Sequence, residues 1–180
     1  EVAGFYRSAA SGNWNSTATW QMYNGISWGP TLIIPDATSG PIYIMSPYTV
    51  TISASKTIDQ TSIQAGATLE VTYGTLTLSN GTGADLQSDG TLSFFSPGTL
   101  NNSTGAELTG AGSLWYSQPT LTNNGSITLN DFVISGNALQ TINGYGSIRN
   151  LLMFHFGPGL HLNGDQTITN FLNFNYGGMT

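Results

Sequence analysis

Residues 68–81 read TLEVTYGTLTLSNG, and this stretch contains the pattern that decides the fold. Apolar and polar residues alternate in Thr68–Val71 and again in Thr75–Leu78, with Gly74 between the two runs. Alternation with a period of two, bounded by turn-forming residues, predicts strands with one buried face. A chain made of such runs, with no apolar stripe of helical period, is predicted to be all-β.

A short signature, Gly-(Thr/Ser)-(Leu/Ile), recurs along the chain. It begins at Gly74, Gly90, Gly98, Gly112, Gly125 and Gly146. The intervals approximate multiples of about seven to eight residues, the length of a short strand plus its turn, and three multiples make one coil of a three-sided parallel β-solenoid. We expect the Gly to supply the φ freedom of a sharp corner. The Thr or Ser should then face outward and the Leu or Ile should face the core.

An antiparallel β-sandwich is the structural alternative, because turn dipeptides such as Asn80-Gly81 and Asp89-Gly90 also suit hairpins. The persistence of the signature and the polar but barely charged composition favour the solenoid. In a stacked coil, Asn, Ser and Thr side chains can satisfy their equivalents in neighbouring coils. Since each coil adds about 4.8 Å, about five or six coils would make a short rod.

Composition excludes several classes of partner. Charged residues make up 7% of the 180 residues, and only Arg7, Lys56 and Arg149 are basic. Nucleic-acid binding and electrostatic membrane binding need several basic residues, so neither is expected. The chain has no cysteine, which removes disulfides and thiolate metal sites. No apolar run approaches the roughly 20 residues of a membrane span, so membrane insertion is not expected.

The chain divides into two regions. Residues 1–40 are aromatic-rich and irregular, and we expect them to cap the first coil, because the open strand edges of a solenoid invite aggregation. Residues 41–180 are expected to form the coils. Near the C-terminus the sequence resembles the start of another coil, so we expect the chain to continue or another chain to cover this candidate interface edge. The edge residues are Phe171, Leu172, Phe174 and Tyr176.

The N-terminal sequence resembles a known family. Phe5-Tyr6 followed by residues 11–20, SGNWNSTATW, is similar to the start of many mature secreted and cell-surface proteins of the Bacteroidota, which run into Gly-, Thr- and Asn-rich β-repeats. The resemblance implies export by the type IX secretion system and display at the cell surface as an adhesin-like β-solenoid. No functional residue is assigned from the resemblance, because the shared sequence segment is structural.

Residues suited to catalysis or metal binding are few. Asp85 and Asp89 are the acids closest in sequence, and Asp89 belongs to a turn dipeptide, so a pair of catalytic carboxylates is not predicted. His155 and His161, with Asp165 nearby, fit no common metal-ligand spacing. We therefore predict no catalytic residue, no metal site and no cofactor, and a protein that is not an enzyme.

Aromatic residues are the best candidates for binding. Trp115 and Tyr116 could stack on sugar rings, and because they are adjacent on a predicted strand, one of them should point outward. The predicted function is an extracellular structural or adhesive module, such as a stalk or a filament-forming element. Its predicted partners are surface proteins, glycans, copies of itself and the type IX secretion machinery.

Two further functions remain open from the sequence. One is a carbohydrate-binding or polysaccharide-active β-helix. The other is ice binding, in which Thr-x-Thr pairs stack into one flat array on a regular solenoid. The pairs are Thr49/Thr51, Thr75/Thr77, Thr120/Thr122 and Thr167/Thr169.

Overall fold

The structure, a computed structural model, describes residues 3–155 and 158–175. These residues form twenty strands and one 3₁₀ turn at Thr17–Thr19. The strands are β1 (Tyr6–Ser8), β2 (Gly12–Asn13), β3 (Trp20–Tyr23), β4 (Trp28–Pro30), β5 (Ile42–Ile44), β6 (Thr49–Ile52), β7 (Lys56–Ile58), β8 (Thr61–Ile63), β9 (Thr68–Val71), β10 (Thr75–Leu78), β11 (Leu86–Ser88), β12 (Thr91–Phe94), β13 (Thr99–Asn102), β14 (Glu107–Tyr116), β15 (Thr120–Asn123), β16 (Ser126–Gly136), β17 (Gln140–Asn143), β18 (Ser147–His155), β19 (Leu160–Asn163) and β20 (Thr167–Asn175).

The strands stack as a parallel β-solenoid with three faces. The first face contains β1, β5, β8 and β11, followed by the N-terminal halves of β14, β16, β18 and β20. The second face contains β2, β6, β9 and β12, followed by the C-terminal halves of the same four long strands. The third face contains β7, β10, β13, β15, β17 and β19.

The length of each turn follows from the pairing on the first face. Ile42 pairs with Thr61, Thr61 with Leu86 and Leu86 with Leu108, so these turns contain 19, 25 and 22 residues. The next three turns, which end at Ile127, Ile148 and Ile168, contain 19, 21 and 20 residues. The parallel three-sided solenoid is thus confirmed with about six turns, and the antiparallel sandwich is excluded.

Equivalent apolar residues of successive turns form the core. On the second face, Leu69, Leu92 and Leu114 are aligned and fully buried, and Phe132 continues this column. The Thr or Ser of each signature faces outward and the following Leu or Ile is buried, as predicted. Because each turn shields the apolar side chains of the next, burial continues along the stack.

The signature glycines are required for a different reason from the predicted one. Of the six, only Gly74 has a left-handed φ, of 77°. At Gly125, an added Cβ would collide with the carbonyl oxygen of Ala106 in the preceding turn and lie 2.8 Å from the Ser103 oxygen. The prediction that these glycines are needed for their φ freedom is therefore wrong at the other five positions. At the corners, successive backbones approach too closely for a side chain.

Buried asparagines replace apolar residues at one corner of the interior. Asn102 and Asn123 follow Leu78 in the same column of the third face, and both are fully buried. The Asn102 amide donates to Asn123 Oδ1 at 2.8 Å, and the Asn123 amide donates to the Gln166 oxygen at 2.9 Å. This ladder joins turns through side-chain hydrogen bonds, as the composition predicted.

The N-terminal region is partly continuous with the solenoid. β1 pairs in parallel with β5, and β2 pairs in parallel with β6, across the boundary predicted at residue 40. β3 and β4 then add an antiparallel pair outside β1. Trp14 and Trp20 are buried with their rings 4.9 Å apart and belong to the core cluster. A capping role for residues 1–40 stays a prediction.

At the other end, β20 pairs with β18 and carries three of the predicted edge residues. Phe171, Leu172 and Phe174 are 39%, 42% and 49% exposed. Tyr176 lies outside the described residues, and an interface at this edge stays a prediction.

Within the described part of the chain, no helix is long and apolar enough to cross a membrane.

Candidate functional site

The outer side of the third face carries two columns of uncharged polar side chains. We call these eleven residues the third-face array. One column is Thr75, Thr99, Thr120, Thr141 and His161, and the other is Thr57, Thr77, Asn101, Thr122, Asn143 and Asn163. Because the strands are parallel and in register, neighbouring side chains in a column are separated by about 4.8 Å.

Hydrogen bonds between turns hold members of the array in place. The hydroxyls of Thr75 and Thr99 are 3.0 Å apart, and the Asn163 amide donates to Asn143 Oδ1 at 2.8 Å. Both columns lack Asp, Glu, Lys and Arg, and the nearby Lys56 is aligned with core residue Leu76. Apart from the imidazole of His161, the third-face array is therefore a regular surface of hydroxyl and amide groups.

The predicted Thr-x-Thr pairs do not form one array. Thr49/Thr51 lies on the second face and Thr167/Thr169 on the first face. Thr75/Thr77 and Thr120/Thr122 share the third face, where residues absent from the predicted set, such as Thr99 and Thr141, lie between or beside them. The prediction failed because insertions of up to about one strand change the turn length, so sequence spacing alone does not identify a face.

The second face contains an aromatic groove of about 390 Å³. Trp115 points outward and is 48% exposed, whereas its neighbour Tyr116 is buried in the core, with its ring 5.1 Å from that of Phe94. Burial raises the pKa of Tyr116, whose hydroxyl donates to the Thr120 carbonyl oxygen. Of the two predicted stacking residues, only Trp115 can therefore contact a ligand.

The walls of the groove combine aromatic and polar groups. Phe95, 51% exposed, lies in the adjacent turn, and Glu70, Ser93 and Ser117 contribute a carboxylate and two hydroxyls. Ser93 and Val133 are the neighbours of Trp115 in the outward column, and they are 8% and 3% exposed. Since both face outward yet are covered, larger side chains on this face shield them from solvent. Volume and composition fall within the range typical of ligand sites.

A buried pair of acids lies at the corner between the third and first faces. Asp85 is fully buried, and its two oxygens accept the backbone N–H groups of Gly81 and Glu107, each at 2.7 Å. Asp59 accepts the Gln60 N–H at 2.8 Å. Burial, together with a side-chain hydrogen bond to Asp85, raises the pKa of Asp59. The side-chain hydrogen bond between Asp59 and Asp85 therefore links two turns at an acid whose oxygens also accept backbone N–H groups.

The sequence search missed this pair because it considered only acids adjacent in sequence. A signal was available, since Asp59 precedes Thr61 and Asp85 precedes Leu86, and Thr61 pairs with Leu86 one turn away. The bridged acids are closer together than the carboxylates of glycoside hydrolases, which are separated by about 5 Å or more. The arrangement suits a structural link between turns.

A second groove surrounds Arg7 on the first face. The Arg7 guanidinium donates to the Gln21 oxygen at 2.8 and 2.9 Å and lies 4.5 Å from the centre of the Trp28 ring. Tyr43 and Gln64 complete one side of this groove. β3 and β4 form this site by placing Gln21 and Trp28 beside β1, a pairing that the sequence did not predict.

The remaining candidates are separate from one another. Asp89 accepts the Ala111 N–H at 2.9 Å and so stabilises a corner, as expected for a turn residue. His161 is exposed in the third-face array, and the side chain of His155 lies outside what the structure describes. Among the described residues, no three His, Cys, Asp or Glu side chains are grouped closely enough to hold a metal ion.

Comparisons with family models, with curated proteins and with solved structures find no match to this chain. The third-face array and the aromatic groove are therefore the two features from which a function can be inferred.

Proposed function

We propose that this chain is a structural and adhesive β-solenoid module that acts outside the cell. The observation that carries the proposal is the third-face array. It presents hydroxyl and amide groups in register across six strands, from Thr57 in β7 to Asn163 in β19. Such a surface can make many weak contacts with a hydrated partner. Because the contacts form together along a repeated array, the overall affinity exceeds that of any single contact.

The rigidity of the backbone supports a structural role. Every strand of the third face pairs in parallel with its neighbour, so the array cannot rearrange without breaking ladder hydrogen bonds. Side chains that are already ordered lose little conformational entropy on binding. The proposed partners are glycans, surface proteins and copies of the same chain, and the proposal includes secretion by the type IX route and no enzymatic activity.

Adhesion can be tested with the full chain coupled to beads. We expect attachment to at least one of three surfaces: a cellulose film, a film of cell-surface protein, and a film of the chain itself. The double variant Thr77→Lys/Thr122→Lys places two charges in the array and should lose most attachment. The matched control Thr109→Lys/Thr128→Lys places the same charges on the first face, where these residues are aligned.

Two results would contradict the adhesive role. One is no attachment of the unmodified chain to any of the three surfaces. The other is equal attachment by both double variants, which would show that the array has no part in it. Location is tested separately by antibody labelling of intact source cells, and labelling that appears only after lysis would exclude an extracellular role.

A second candidate function, ice binding, is favoured by one feature of the array. Thr75, Thr99, Thr120 and Thr141 occupy equivalent positions on four adjacent strands, so their methyl and hydroxyl groups repeat regularly. Thermal hysteresis and shaped ice crystals that disappear in Thr77→Lys/Thr122→Lys would support it. Unshaped ice growth in the presence of the unmodified chain would exclude it.

A further inference from the structure

We propose that the aromatic groove of the second face binds a neutral β-1,4-linked pyranoside chain. This site is separate from the third-face array, and the inference does not depend on the adhesive role. Trp115 is the stacking platform, Phe95 is a second apolar contact, and Glu70 and Ser117 are positioned to hydrogen-bond to sugar hydroxyls.

The indole of Trp115 is exposed but held in one position. Trp115 lies within β14, between β12 and β16, and its ring N–H donates to Ser113 Oγ at 3.2 Å. Large aromatic rings normally lie in the core, so the Trp115 ring, which is fixed on a strand and 48% exposed, is available for a ligand. Because the ring is already ordered, stacking costs little side-chain entropy.

The chemistry of the groove matches a sugar better than a purely apolar ligand. In β-linked glucose and xylose the ring hydroxyls are equatorial, so the two faces of the ring present C–H groups that can pack on an indole. The hydroxyls then point outward around the edge, where the Glu70 carboxylate can accept hydrogen bonds and the Ser117 hydroxyl can donate or accept them.

Charge selects for a neutral chain. Glu70 is the charged residue of the groove lining, and the chain has a net charge of −6. A polymer of uronic acids would place its carboxylates beside Glu70 without a cation to compensate, which is unfavourable. Arg7 and its groove lie on the first face, outside the lining of this site.

Calorimetric titration of the full chain tests the proposal with defined hexasaccharides. We expect saturable binding of cellohexaose and xylohexaose, weaker binding of mannohexaose, whose axial hydroxyl interrupts one ring face, and still weaker binding of hexagalacturonate. Trp115→Ala should weaken cellohexaose binding by about tenfold or more, as expected for a central aromatic contact. Trp115→Phe should recover part of that loss.

The control is Tyr145→Ala, because Tyr145 is a 76% exposed aromatic residue outside the groove. It should bind cellohexaose as the unmodified chain does. Glu70→Gln should reduce the discrimination against hexagalacturonate. If Trp115→Ala does not fold, Phe95→Ala gives an independent measure, with an expected loss of several fold.

Three outcomes would overturn the proposal: no saturable binding of either neutral hexasaccharide, equal binding by Trp115→Ala and Tyr145→Ala, or hexagalacturonate binding as tightly as cellohexaose. Failure of the adhesive role would appear instead in the third-face double variant Thr77→Lys/Thr122→Lys and its first-face control, which both leave the groove unchanged.

Discussion

The second and third faces are built by the same coil but present different surfaces. On the third face, the outward positions repeat Thr and Asn from strand to strand. On the second face, the equivalent column reads Glu70, Ser93, Trp115 and Val133, so that no two successive residues share a chemistry. The inward columns of both faces remain apolar through most of the stack.

This difference shows how the solenoid separates stability from function. Ladder hydrogen bonds and inward Leu and Ile residues fix the position of each strand, whatever its outward side chains are. Outward positions are therefore free to form either a regular polar array or a single groove. Changes that force successive backbones apart should affect both surfaces, and changes confined to single side chains should affect one or neither.

The largest effect is expected from a side chain at a corner glycine. Gly125→Ala places a Cβ against the Ala106 carbonyl oxygen, so the turns must separate. We expect a loss of about 3 kcal/mol in the free energy of unfolding, the upper range for overpacking, measured by urea denaturation. Gly29→Ala is the control, because a Cβ there meets no atom within 4 Å and its φ is not left-handed.

The same pair of variants tests whether the second and third faces unfold as one cooperative unit. If they do, the exposure of Trp115 to acrylamide and the circular dichroism of the strands should change in a single transition, and Gly125→Ala should shift both to lower urea concentration. Equal stability of Gly125→Ala and Gly29→Ala would contradict the close packing of turns at the corners.

A smaller effect is expected from the buried asparagine ladder next to the third face. Asn123→Ala removes the acceptor of Asn102 and the donor to Gln166 and leaves buried polar groups without their partners. We expect a cost of about 2 kcal/mol in unfolding free energy. Asn163→Ala, which breaks one exposed hydrogen bond to Asn143, should cost about 0.5 kcal/mol. Similar values for the two variants would show that the ladder is not a buried network.

The smallest effect is expected from the acid pair, and it depends on pH. Because the pKa of Asp59 is raised above its ordinary value of 3.8, the folded state binds more protons than the unfolded state above about pH 4. Stability should therefore decrease as pH rises from about 4 through the folded pKa of Asp59. The third-face array and the aromatic groove should keep their structure over this pH range.

Asp59→Asn tests this dependence. Its amide keeps a donor toward Asp85 without a titrating proton, so the variant should gain stability relative to the unmodified chain at about pH 8 and little or none at about pH 4. Chemical denaturation at the two pH values measures the difference. An unchanged pH dependence would show that Asp59 does not hold its proton in the folded state.

Much of the fold could be predicted from residues 68–81 and their repeats, because inward burial imposes a period of two that is visible in a single strand. The role of the signature glycines could not, because the collision at Gly125 involves Ala106 in another turn. For the same reason, the Asp59–Asp85 bridge and the Gln21–Arg7 contact became visible only once the turns were placed beside each other.

The candidate site was predictable in part. Adjacency on a strand correctly required one of Trp115 and Tyr116 to point outward, but alternation alone does not say which one faces the core. The Thr-x-Thr pairs were assigned to one array on spacing alone, yet turns of 19 to 25 residues place them on three faces. The face on which a residue lies is decided by the pairing between strands, and sequence spacing predicts that pairing poorly.

In-register parallel stacking of turns creates both outward surfaces, and cysteine cross-linking tests this stacking directly. The chain contains no cysteine, so engineered pairs have no competing thiol. Asn101 pairs with Thr122, and at about 4.8 Å between strands this spacing suits a disulfide. Asn101→Cys/Thr122→Cys should therefore cross-link on mild oxidation.

The control pair is Asn101→Cys/Thr120→Cys, in which one cysteine is displaced by two residues along the strand. It should remain reduced, because Cα atoms more than about 7 Å apart cannot be bridged. Cross-linking of the displaced pair, or of neither pair, would contradict the stacked solenoid.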